Sequence, residues 1–294
     1  MLDIVRSPKV DVERDLQFRL SRLNHLRLTP ALPSPQWRDE LAEIARLSVA
    51  EGEFLERSRQ AVAARAAEAP TDPEGFIAWF ETLKDNGPGQ GDPLFPWLAE
   101  HCSMEQMKWF LTQEVAGEAG FEDLTALTQL KLPTRSKLEL ARNYWDEMGR
   151  GNPKAMHGPL LSALAEHLKL TPLPETTVTE SLALANTMAG LAANRRYAYH
   201  SVGALGVIEM TAPGRSAATS AGLKRLGIRA KNRHYFALHA ILDIKHSAAW
   251  NSEAIKPLVA ENPAAATAMA EGSLMRLSCG ARCFERYRSE FGLQ

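Results

Sequence analysis

Apolar residues recur at three- and four-residue steps through most of this chain, and no stretch shows a convincing alternation of apolar and polar positions. The clearest run begins at Ser103, which suits a helix cap. Glu105 falls in the first turn, and Met107, Phe110, Leu111, Val115 and Phe121 follow at helical spacing. The pattern predicts one long helix towards Leu130, a break at Lys131-Leu-Pro-Thr-Arg135, and a second helix from Ser136 to about Met148 that turns back along the first. Gly149-Arg-Gly-Asn-Pro153 interrupts the chain before a helix from His157 towards Leu168.

The stretch Thr177 to Met210 is apolar around most of its circumference, so it reads as the most buried helix. Thr211-Ala-Pro-Gly214 is expected to end it, with a short helix following to Leu226. Helices from Arg233 to about Trp250, Ser252 to Val259 and Ala264 to about Phe291 complete the chain. Upstream, Asp11–Leu28, Gln36–Ala67 and Glu74–Lys84 read as helices joined by Pro- and Gly-rich connectors. The expected fold is all-α: a single domain over 1–294, in which an N-terminal helical segment (1–93) packs on a metal-binding helical bundle (94–294).

Composition narrows the possible functions. The chain has 294 residues, of which 45% are hydrophobic, and a formal net charge of −1, so no general field draws it to nucleic acid or an acidic membrane face. Three cysteines, Cys102, Cys279 and Cys283, make neither a disulfide framework nor a thiolate zinc site. No signal-peptide core opens the sequence and no apolar run is long enough to span a membrane, so a cytoplasmic location is expected. The run Asp85-Asn-Gly-Pro-Gly-Gln-Gly-Asp-Pro93 has no Gly-Lys-Ser/Thr and no preceding strand; it reads as a turn, not a phosphate loop.

The chemistry lies in polar residues set among apolar ones. On the helix from Arg233, His239, Asp243 and His246 stand at offsets of four and seven residues and project from one face. Any one of them is compatible with a buried side chain satisfied by its neighbours; three on one stripe point to a ligand set. Glu209, in Leu205-Gly-Val-Ile-Glu-Met210, is a carboxylate in apolar company, costly unless paired, protonated or metal-bound. Glu114 and Glu118, one turn apart, lie level with Glu147 if the two helices are antiparallel, and His157 opens the next helix. His25, His101, His167 and His200 carry no such pattern, and His234 points away from His239. Arg195-Arg196-Tyr197 reads as a salt-bridged face or a carboxylate-binding patch. Inward carboxylates and imidazoles on several helices are how bundles build di-iron and di-manganese sites, and a thiolate-free set favours iron or manganese.

At this point the sequence resembles the heme-oxygenase-like diiron oxidases and oxygenases, the iron-containing redox enzymes, from roughly Leu94 to Val259. Glu147-x9-His157 looks like that family's second ligand element, Glu209 its third, and His239-x3-Asp243-x2-His246 its fourth. For the first element, Gln113-Glu114 resembles the family segment best and Glu114 is the expected ligand, with Glu118, which has the better hairpin geometry, as the second choice. The resemblance implies a heme-oxygenase-like bundle of about seven core helices with extra N-terminal helices. It implies two Fe(II)/Fe(III) per chain, with manganese as the alternative, held by Glu114 or Glu118, Glu147, His157, Glu209, His239, Asp243 and His246. It also implies O2 as co-substrate, an external reductant, and a small amino-acid-like or fatty-acid-like substrate. The alternatives are a cofactor-free relative of the same fold, similar to thiaminase or pyrroloquinoline-quinone synthase, and a non-catalytic iron-binding bundle. The expected partners are the substrate and an electron donor, with a homodimer compatible with the chain and neither nucleic acid nor membrane expected.

Overall fold

The computed structural model describes residues 8–118 and 120–293. Among them every regular element is helical, as the periodicity predicts, and no helix is long and apolar enough to cross a membrane. Helices α1 (Pro8–Leu28) and α2 (Trp37–Ala66) pack on each other, α1 against α9 (Thr179–Ala193) and α2 against α13 (Ala264–Phe291). Arg27 on α1 grips Glu51 on α2 through two hydrogen bonds of 2.6 and 2.9 Å, a forked geometry that orients as well as attracts. On the other face of α2, Arg59 reaches Glu271 of α13, which also meets His200 at 2.9 Å. His200 thus has a buried partner that no spacing in the sequence revealed.

α10 (Ala198–Arg225) is the axis of the molecule, packing on α13, α9, α4 (Leu94–Glu100) and α11 (His234–Ala249). Its contact with α13 is backbone to backbone. A Cβ at Gly203 would stand 2.0 Å from the Met269 carbonyl oxygen, and one at Gly272 would stand 1.9 Å from that of His200. α11 is locked to α10 by Trp250, which is fully buried, donates to the Val202 carbonyl at 3.1 Å and lies where a Cβ at Gly206 would be.

Four boundaries depart from the pattern. The helix expected from Ser103 to Leu130 is two: α5 (Met104–Gly117) and α6 (Phe121–Thr128), separated where Gly120 adopts a left-handed φ of 70°. Ser103 caps α5 in a reciprocal box with Gln106. The single helix expected from Thr177 to Met210 is likewise divided into α9 and α10. Asn194 is extended there and its side chain accepts from the Arg196 amide, an alternative to helical bonding that asparagine offers readily. Both flanking helices are buried on all sides, so hydrophobicity carried no sign of the join.

Pro213 does not end its helix. A proline inside a helix removes one backbone bond, here the one to the Glu209 carbonyl, but α10 is held on several sides by its neighbours and continues to Arg225. Lastly, α11 runs without interruption through a π-helical turn (Trp250–Ile255) into α12 (Lys256–Glu261), where two separate helices were expected; α4 was not anticipated. The remaining elements, α3 (Pro73–Asn86), α7 (Thr134–Glu147) and α8 (His157–Leu168), follow the expected spans closely.

The crossing of α10 and α13 leaves no room for a methyl group. Gly203→Ala and Gly272→Ala should each destabilise the fold by about 1–3 kcal/mol or more, since only backbone can give way. Gly52→Ala, with nothing within 4 Å of the new Cβ in the middle of α2, should instead stabilise by about 0.5–1 kcal/mol. Urea unfolding of the three variants checks the contrast, and a neutral Gly272→Ala would contradict the close crossing.

Candidate metal centre

Five helices deliver the site. α7 ends on its buried face with Asn143 and, one turn later, Glu147. The chain then reverses through Gly149, Arg150 and Gly151 at φ of 60°, 53° and 82°, and a Cβ on Gly149 would lie 2.5 Å from the Ala155 carbonyl carbon. This tight turn returns His157, the first residue of α8, to Glu147, with Nδ1 2.5 Å from Oε2. Glu209 comes from the middle of α10. His239, Asp243 and His246 come from α11, and Glu114 and Glu118 from the end of α5.

The ligand atoms converge in two groups that share one carboxylate. Glu147, His157 and His239 each place a potential ligand atom within 4.8 Å of the others, and so do Glu147, Glu209 and His246. Second partners fix which atom of each side chain is left for the centre. The Tyr235 carbonyl accepts from His239 Nδ1 at 2.8 Å, so Nε2 faces inward, 3.0 Å from His157 Nδ1. Asp146 accepts from His246 Nε2 at 3.2 Å, leaving Nδ1 turned toward Glu209 Oε2 at 3.5 Å. Arg150 in turn holds Asp146 at 2.6 Å, and Asn143 donates to Glu209 Oε1 at 2.6 Å.

Asp243 Oδ1 is buried without a hydrogen bond, and Glu147 Oε2 and His246 Nδ1 are buried beside His157 Nδ1 and Glu209 Oε2 in contacts that lack hydrogen-bond geometry. A buried polar atom left without a hydrogen bond costs about 1–3 kcal/mol, and a bound cation would satisfy all three. The donor set of carboxylate oxygens and imidazole nitrogens, with no thiolate, fits iron.

Asp243, buried, lines the adjoining cavity of about 100 Å³ together with Glu118, Glu147, Glu209 and His239. Glu118 lies in the charge field of Glu147 and against the Tyr235 phenol. Glu114 also lines the cavity but faces elsewhere: it accepts from the Tyr287 hydroxyl at 3.2 Å and sits in the field of Arg215 and Arg276. His234 stays exposed on the outer side of α11. Sequence reasoning passed over Asn143, Asp146, Tyr235, Arg215 and Arg276. Asn143 stands one turn before Glu147, and a projection of α7 would have shown it; Arg215 was hidden behind the helix end expected at Pro213.

The electrostatics describe a site short of positive charge. Burial, then repulsion from Glu209, raises Glu147 well above the usual carboxylate range. Burial with Glu209 and Glu147 nearby pushes Asp243 up to about 10, and burial raises Glu118 to about 8. Burial lowers His157 and His239 to about 4, each helped by a neighbouring imidazole, so both are neutral and available as ligands. His246 alone goes up: burial opposes its charge, but Glu209 and Asp146 outweigh that and lift it to about 9. Its proton occupies the place of a cation.

These shifts set a pH dependence for the metal-free protein. Asp243, Glu118 and His246 keep protons in the folded state up to about 10, 8 and 9, protons that the unfolded chain releases around 3.8, 4.5 and 6.5. Their contribution to stability is therefore lost as pH rises toward those folded values. His157 and His239 act oppositely below 6.5, where the unfolded chain takes up protons that the folded site refuses until about 4. In chelator, the melting temperature should fall between neutrality and pH 9, and Mn(II) should flatten that fall by replacing the protons. Melting curves with and without metal at several pH values check this; a metal-free protein that gains stability between pH 7 and 9 would contradict it.

The family model described as iron-containing redox enzyme matches residues 108–281, a span that holds all eight candidate ligands and reaches into α13. No curated protein matches the chain. With that match over more than half the sequence, on a helical bundle whose buried carboxylates and imidazoles converge on one point, the chain belongs to the iron-containing redox enzyme family, of heme-oxygenase-like all-α fold.

Proposed function

We propose that this protein is a non-heme diiron oxidase or oxygenase that uses O2 to oxidise a small organic substrate in the cavity beside the centre. The observation that carries the reading is the pair of candidate ligand groups sharing Glu147: two clusters with one common carboxylate would suit two ions better than one. His157 and His239 would serve one ion and Glu209 and His246 the other, with Asp243 and Glu118 completing the set. Four carboxylates, Glu118, Glu147, Glu209 and Asp243, balance two divalent charges. Iron bound there supplies the electrons and open coordination positions that O2 activation needs.

The chain's own part is positioning and exclusion. The Tyr235 carbonyl and Asp146 hold the N–H of His239 and His246 respectively, which keeps the opposite nitrogens turned toward the ions. Asn143 occupies Glu209 Oε1 and leaves Oε2 free. Phe121, Leu161, Ile208 and Phe236 wall the cavity and keep bulk water from the reacting end. A lined cavity at the ligands supports an enzyme over an iron-storage bundle, which has no use for one.

Between the two first-helix candidates, the surroundings favour Glu118, beside Glu147, over Glu114, beside the arginines. Anaerobic titration should give up to two Fe(II) per chain. Glu118→Ala and Asp243→Ala should each weaken uptake of at least one ion by about tenfold or more, with far-ultraviolet helicity unchanged, while Glu114→Ala should leave uptake intact. With a chemical reductant, the loaded protein should consume O2 and the Asp243→Ala variant should not. A titration that ends at zero or one ion in the unaltered chain would overturn the dinuclear reading.

A further inference from the structure

The cavity has a second polar end that the metal ligands do not use. One face of α10 lines it lengthwise through Ile208, Ala212, Arg215 and Thr219, positions at helical spacing. Arg215 lies six residues beyond Glu209, about 9 Å further along the helix axis. Arg276 of α13 reaches the same end, its guanidinium folded back over Gly280, where a Cβ would stand 2.8 Å from Nη1. A side chain at 280 would displace it.

Neither arginine makes an ion pair or a hydrogen bond among the described residues. Arg215 has only the rings of Phe95 and Phe284 near it, at 6.0 and 5.7 Å, although a guanidinium carries five N–H donors. Burial, then the like charge of Arg276, pulls its pKa down to about 10, so it stays cationic at neutral pH yet poorly compensated. The nearest acid is Glu114, fixed by Tyr287. Burial raises the pKa of Glu114, so its carboxyl group offsets at most one of the two guanidinium charges and at least one stays unmatched; the four carboxylates at the other end are already matched if two divalent ions bind there.

We propose that Arg215 and Arg276 form an anion-binding end of the substrate cavity, which takes the carboxylate of a small monoacid whose apolar body extends along α10 toward the metal ligands. Glu114 is then a positioning residue: anchored by Tyr287, it lies between the two like charges and reduces their excess, which disfavours a diacid or a phosphate relative to a singly charged acid. The carboxylate sits in a desolvated, charge-assisted grip, and a neutral amide of the same shape lacks the charge to match it. The cavity, about 100 Å³, is smaller than the roughly 150 Å³ that accommodates benzene, which restricts the acid to a short chain. Which carbon is presented for oxidation rests on the metal reading above; capture of the anion does not.

Calorimetry on the metal-free protein in chelator, with acetate, butyrate, hexanoate, butyramide and succinate as probes, separates the two. At least one monocarboxylate should bind saturably at one site per chain. Butyramide and succinate should bind about tenfold or more weakly than the best monocarboxylate. Arg215→Gln and Arg276→Gln should each weaken it by a similar factor, while Glu114→Gln, which adds to the positive excess, should tighten it. The Glu114→Gln arm guards against variants that lose binding only through loss of structure, since a damaged fold does not bind better. Fe(II) uptake is measured on the same variants and should persist. Carboxylate binding without Fe(II) uptake would overturn the diiron reading and leave this one standing. No monocarboxylate binding, or binding indifferent to all three substitutions, would overturn the anion site whatever the metal result.

Discussion

Burying Glu147 and Glu209 together, with Asp243 and Glu118 on the adjoining cavity wall, is the constraint around which this fold is arranged. Like charges in an apolar interior repel strongly, and the effective penalty for each buried ion is several kcal/mol, so such a group persists only with protons or metal among its members. The proton answer is visible here. Glu147 and Asp243 are driven toward their protonated forms, and His246 carries the one positive charge among the candidate ligands. The surrounding partners, Asn143, Asp146 and the Tyr235 carbonyl, do not neutralise the group; they orient it. Orientation without neutralisation is the arrangement expected of a site made for a cation.

The helix α11 expresses the same constraint in its sequence. It buries Asp243 and His246 while leaving Ile241 and Ile244 exposed, the reverse of an ordinary amphipathic helix. Its docking therefore owes less to the ligand face than to its two ends. Tyr235 and Phe236 pack into the core at the start, and Trp250 inserts against Gly206 at the finish. The π-helical turn beginning at Trp250 falls one turn after His246, the last candidate ligand, where a change of helical phase lets the chain leave the site and rejoin the core through Ile255 and Leu258.

How much of this the sequence revealed depends on whether the information was local. His239, Asp243 and His246 could be placed on one face because the helical period alone decides it, and Glu209 stood out because a lone acid in Leu205–Met210 violates burial. The Glu147 to His157 connection was legible as a turn, but not that a left-handed run at Gly149–Gly151 would bring the two side chains to 2.5 Å. The joins at Gly120 and Asn194 were obscured for opposite reasons. At Gly120 the apolar spacing happened to continue across the break, and at Asn194 both sides were so hydrophobic that no face could be distinguished. Pro213 misled because local backbone preference was outweighed by the packing of α10 against α13, α11, α4 and α9.

That last error concealed the most about function. Had α10 ended at Thr211, Arg215 would have belonged to a separate short helix with no fixed relation to Glu209. Because α10 continues, both residues ride on one rigid rod, and the distance between the candidate ligand Glu209 and the arginine end of the cavity is set by helical rise, not by a loop. The close crossing of α10 with α13 then fixes Arg276 on the same ruler, since Gly272, four residues before it, touches the His200 backbone. Proline contributes at the point where the two ends meet: the backbone bond it removes would have ended on the Glu209 carbonyl, one helical turn before the cavity face passes from acidic to basic residues. A single helix with one missing hydrogen bond thus carries a carboxylate that suits a cation and a guanidinium that suits an anion, and holds them at a separation that the rest of the bundle cannot change without unpacking its own axis.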